Sequence, residues 1–60
     1  MTLQELDSRL TNVDIYYKVV GGGWLKYTSD KIINDSSLPK KEVGSITIDY
    51  KLERALVTLL

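Results

Sequence analysis

The chain is 60 residues long, with Lys+Arg at 8, Asp+Glu at 8, and neither cysteine nor histidine. Those two absences exclude disulfides, zinc–thiolate and iron–sulfur sites and thiol nucleophiles, and with them the usual general base and the commonest transition-metal ligand. No apolar run approaches membrane-spanning length and no basic-then-apolar leader opens the chain, so a cytoplasmic α+β domain over residues 1–60 is expected.

Thr2-Leu3-Gln4-Glu5 has the form of a capping box, in which the Thr2 hydroxyl and the Glu5 carboxylate satisfy backbone N–H groups of the first turn. Leu3, Leu6 and Leu10 then recur on one helical face, predicting a helix over 3–10 that ends at the poor helix formers Thr11-Asn12. Eight residues form no stable helix alone, so the leucine stripe must dock on something.

Residues 13–20, Val-Asp-Ile-Tyr-Tyr-Lys-Val-Val, read as a strand with Val13, Ile15, Tyr17 and Val19 on one face. Gly21-Gly22-Gly23 separates it from Trp24-Leu25-Lys26-Tyr27-Thr28. A three-glycine loop with Gly23 left-handed would set Val20 opposite Trp24, Val19 opposite Leu25 and Tyr17 opposite Tyr27. A two-residue loop would bury Lys26 and strand Leu25, so the longer loop is preferred. Its one penalty is Lys18 opposite Lys26.

Ser29, a cap-like residue, opens one or two helical turns through Asp35. Ser36 to Lys41 is expected to be a loop, with Pro39 pushing Leu38 out of the α region. Ser45 to Tyr50 alternates, with Ile46, Ile48 and Tyr50 on one side. Residues 51–60 fit two patterns. As a helix they carry a stripe of Leu52, Ala55, Leu56 and Leu59. As the second arm of a hairpin turning at 51–54 they pair Tyr50 with Ala55, Ile48 with Val57 and Ile46 with Leu59. The β-branched Val57-Thr58 favours the strand. The expected architecture is therefore an N-terminal helix packed on an antiparallel sheet of three to four strands, ordered α-β-β-(short α)-β-β.

Chemistry-bearing motifs are sparse. The triple glycine lacks the spacing and following helix of a phosphate-binding loop. Asp30, Asn34 and Asp35 lack the ligand alternation of a calcium loop. Carboxylate-pair catalysis needs a cleft that a core this small is hard pressed to enclose. No cofactor, metal, small-molecule substrate or catalytic residue is assigned.

Trp24 is the residue that calls for a role. By parity it shares the outer face with Tyr16, Lys18, Val20 and Lys26, away from the helices, whereas Tyr17, Tyr27 and Tyr50 turn inward. Aromatic residues buried on binding dominate the energy of protein interfaces, and Trp24 would be such an anchor. Aromatics beside amines also suit single-stranded nucleic acid, but zero net charge supplies no basic footprint. Packing of Trp24 under the 34–44 segment is the purely structural alternative. The C-terminal segment adds a second route to association, through a docked helix or an open strand edge.

The reading that follows is a small non-catalytic protein-binding module acting through Tyr16, Lys18, Val20, Trp24 and Lys26. An inhibitor or accessory factor of the kind made by bacterial viruses fits this description. A chain of this size buries only about 60% of its extended surface, so a homodimer or a partner is the expected source of extra stability. A nucleic-acid binder and a structural subunit of a larger assembly are the alternatives.

Overall fold

In the computed structural model, which describes residues 1–60, the first element is set by local chemistry. Thr2 caps helix α1 (Leu3–Arg9): its Oγ1 accepts from the Glu5 N–H at 3.2 Å, and its own N–H donates to Glu5 Oε1 at 3.0 Å. The helix is one residue shorter than expected, Leu10 serving as its C-cap, and Asn12 reverses the chain with φ 61°. Leu3 and Leu6 are buried and Leu10 packs beside them.

Strands β1 (Asp14–Lys18), β2 (Leu25–Lys26), β3 (Val43–Asp49) and β4 (Arg54–Leu59) form one sheet in the order β2-β1-β4-β3. The α+β architecture and element order agree with expectation, and residues 54–59 are a strand. The sheet is mixed rather than wholly antiparallel, because β1 and β4 run parallel. The connection explains this. After β2, helix α2 (Ser29–Asn34) and a 3-10 turn (Leu38–Lys40) carry the chain back to the opposite edge. There β3 runs in the same direction as β2, and β4 then returns between β3 and β1. A parallel pair requires such a long crossover. As a result the last strand is central, and the free edges belong to β2 and β3.

Both hairpins keep the expected facing but slip by two residues. In the first, Tyr17 pairs with Leu25 and Tyr16 with Lys26. In the second, Ile46 pairs with Val57, Ile48 with Ala55 and Asp49 with Arg54. The second turn is held by Asp49, whose Oδ1 accepts from the N–H groups of Lys51 (3.1 Å) and Leu52 (3.2 Å). That turn places Tyr50 outside the ladder and exposed, correcting its inward assignment.

Helix α2 is capped by Thr28 rather than Ser29, without a side-chain cap bond. Leu38 begins the 3-10 turn and is buried, so its place in the core outweighs the extended preference of a pre-proline residue. Gly44 lies where the β3–β4 register shifts. A Cβ there would stand 3.1 Å from the Thr58 carbonyl oxygen, which accounts for glycine at that bulge.

One apolar cluster holds the layers together: Leu3, Leu6 and Leu38 from the helical side, and Ile15, Tyr17, Ala55, Val57 and Leu59 from the sheet. Tyr17 and Tyr27 meet edge to face at 6.2 Å. Burial raises the pKa of both phenols, helped by Asp35 at Tyr17 and by Asp7 at Tyr27. The N-terminus is strapped to the start of β3 through Leu3 N–H to the Lys41 carbonyl (2.9 Å) and Val43 N–H to the Met1 carbonyl (2.8 Å).

The cap carries a pH signature. Hydrogen bonds from the Thr2 backbone and then its hydroxyl hold the Glu5 carboxyl below its usual range. A carboxylate that binds its proton less tightly when folded stabilises the fold above its unfolded pKa, and this is lost as pH falls through the lowered value. Thr2→Ala should therefore cost about 1 kcal/mol near neutral pH. Urea unfolding of both proteins should show that deficit shrinking as pH falls below the ordinary glutamate range and Glu5 takes up its proton.

Candidate functional site

The face of the sheet opposite the helices carries Asp14, Tyr16 and Lys18 from β1, and Arg54, Leu56 and Thr58 from β4. Lys26 of β2 and Ser45, Thr47 and Asp49 of β3 complete it. Its central row is Lys26–Tyr16–Leu56–Thr47. Two cations stack on the aromatics: Lys18 Nζ lies 4.9 Å from the Trp24 ring centroid, and Arg54 Cζ lies 5.8 Å from that of Tyr16.

Two basic residues of the face are paired with acids. Lys26 Nζ is 3.8 Å from Asp14 Oδ2, and Arg54 Nε is 3.5 Å from Asp49 Oδ2. The second contact is ionic only, since Arg54 Nε is buried without a hydrogen-bond partner. Each pair is partly exposed and contributes little to stability. Together they leave the face close to neutral.

Of the five residues assigned from sequence, Tyr16, Lys18, Trp24 and Lys26 share this face. Val20 does not stand opposite Trp24. The two-residue slip brings Lys18 against Trp24 instead, so the anticipated Lys18–Lys26 repulsion is replaced by a cation–π contact. Val20 occupies the corner of the turn, where Gly22 N–H donates to the Val19 carbonyl at 2.9 Å and Gly21 has φ 83°. This is the arrangement of a type II turn, which calls for a left-handed third residue. That residue is Gly21, not Gly23.

A clear contrast follows. Gly21→Ala should cost about 1–2 kcal/mol, whereas Gly23→Ala should be close to neutral, since it has no positive φ and an open surround. Parallel thermal melts of the two variants would check it.

The hairpin end is apolar on both sides. Val19 is 48% exposed, Val20 84%, Trp24 46% and Leu25 46%. Alternation puts Val19 and Leu25 on the same apolar face as Ile15 and Tyr17, yet both are about half exposed. The apolar cluster takes in Tyr17, with Tyr27 packed against it, but neither Val19 nor Leu25, so the helical layer leaves the hairpin tip uncovered. Leu56 is a residue of this face that sequence reasoning missed. The alternation Arg54-Ala55-Leu56-Val57-Thr58 carries the signal, once that segment is taken as a strand.

Trp24 lies outside the apolar cluster formed by Leu3, Leu6 and Leu38, so it does not pack under the helices. Asp30 and Asn34 lie on α2, and Asp35 at its C-cap closes a local turn in which its Oδ1 accepts from the Ser37 hydroxyl (2.6 Å) and N–H (3.1 Å). The hydroxyl bond and then the N–H bond lower the Asp35 pKa. No helix is long and apolar enough to cross a membrane. No family model matches the chain, and no curated protein or solved structure matches it.

Proposed function

We propose that this protein is a non-catalytic binding module that covers part of a partner protein's surface, with the β1–β2 hairpin tip as its contact element. The observation that carries the reading is the cluster of Val19, Val20, Trp24 and Leu25 at the hairpin end, all close to half exposed or more. Contiguous exposed apolar side chains on a small domain mark an interaction site. Trp24 is the anchor, with Tyr16, Lys18 and Lys26 forming the polar rim on the outer face. An inhibitor or accessory factor working in the cytoplasm would use such a surface by occlusion.

The nucleic-acid reading is less well supported. One face of the Trp24 ring is taken by Lys18, and Lys26 and Arg54 are tied to carboxylates. On this face every cation has an aromatic or carboxylate neighbour, and phosphate contacts dominate such affinity.

The test is affinity capture from the source cell with the wild-type chain and with Trp24→Ala. A protein retained by the first and lost by the second, with unchanged circular dichroism, supports the reading. Identical capture by both, or capture of an oligonucleotide that quenches Trp24 reversibly with salt, removes it.

A further inference from the structure

The edge of the sheet opposite the hairpin has its own logic. An unpaired edge strand is a template for another chain, and proteins blunt it with brevity, lysine, proline, bulges or a covering segment. β2 is protected by being two residues long. β3 is protected only at its start, where Met1 and Thr2 lie along Glu42 and Val43 and the bulge falls between Val43 and Ser45. Beyond that point Ser45-Ile46-Thr47-Ile48-Asp49 is regular, free of lysine and proline, and paired with β4 on one side only.

We infer that a second copy of this chain pairs with that edge, antiparallel, about a two-fold axis at Thr47. Three observations select a second copy and this centre. The open stretch ends at the Met1 strap on one side and at the Tyr50 turn on the other, so only a centre at Thr47 uses all of it. That register sets Ile46 beside Ile48 of the other copy twice, joining the 40%-exposed Ile46 to apolar surface on the helical side. On the outer side it sets Ser45 opposite Asp49 and Thr47 opposite Thr47, with no like charges opposed; Asp49 is already beside Arg54. Cross-strand pairs of these types are favourable, and a chain with zero net charge does not repel its copy at long range. The product is a continuous eight-stranded sheet with both hairpin tips at its far ends. The proposal stands independently of the hairpin's role.

Analytical ultracentrifugation from about 1 to about 500 micromolar reads it directly, because self-association follows mass action. The wild type should shift from monomer to dimer across that range. Thr47→Lys and Thr47→Glu, on an exposed position, should each weaken dimerisation at least tenfold, and an equimolar mixture of the two should restore a dimer. Trp24→Ala should dimerise as wild type does, which separates this edge from the hairpin. A wild type that stays monomeric throughout, a Thr47→Lys chain that dimerises normally, or a mixture that fails to restore the dimer would each overturn the proposal. So would loss of the dimer in Trp24→Ala.

Discussion

Leu3→Ala is expected to leave most of the protein unfolded at room temperature. Leu3 is fully buried, lies in the first turn of α1, and joins that helix to the sheet through the common core. Truncating a buried leucine to alanine costs about 2–5 kcal/mol, from lost transfer energy and the cavity left behind. A core of this size seldom supplies more than about 3–5 kcal/mol in total. No disulfide is present to soften the loss. Urea titration followed by circular dichroism should show little or no folded baseline for Leu3→Ala. Leu52→Ala, in the exposed β3–β4 turn, should stay within about 0.5 kcal/mol of wild type. Equal midpoints for Leu3→Ala and wild type would mean that α1 is not what closes the core.

Trp24→Ala is expected to weaken partner binding about 30-fold or more while leaving the fold intact. Truncation of a central aromatic anchor typically costs 2 kcal/mol or more, and about 1.4 kcal/mol is a factor of ten. The same substitution removes one exposed cation–π contact from the fold, about 0.5–1 kcal/mol, because Trp24 is outside the core. Leu25→Ala tests the shape of the contact. If the tip inserts into a cleft and is touched on both sides, binding falls about tenfold; if only the outer face is used, it is unchanged. Isothermal titration against the captured protein, paired with thermal melts, separates the two quantities. Undiminished binding by Trp24→Ala would end the case for the hairpin as the contact element.

Dimerisation through β3 would bear on both results. A two-fold pairing at Thr47 places the hairpins at opposite ends, so each dimer would present two copies of the tip. Binding to a multivalent partner would then gain from effective concentration, and Thr47→Lys would lower apparent affinity without touching the tip. Comparison of the two variants against a monovalent partner distinguishes these contributions.

The residues that determined local structure did so through short-range chemistry. Thr2 and Glu5 lie within one turn and satisfy each other's backbone groups, so α1's start could be read directly. The alternation in Asp14–Lys18 and Ser45–Asp49 assigned Tyr17 and Ile48 inward and Tyr16 and Lys18 outward, because successive side chains of a strand point to opposite faces. A period of two is blind to a slip of two, however. Both hairpins took that slip while every ladder residue kept its side, one register set by Gly21's left-handed turn and the other by the Asp49 carboxylate. Strand order lay further out of reach, since β4's place between β1 and β3 depends on a crossover whose residues carry no mark of their destination. So too did the exposure of Val19 and Leu25. Their inward direction is a local property, but whether anything lies above them depends on where a short helix ends in space, which tertiary packing alone decides.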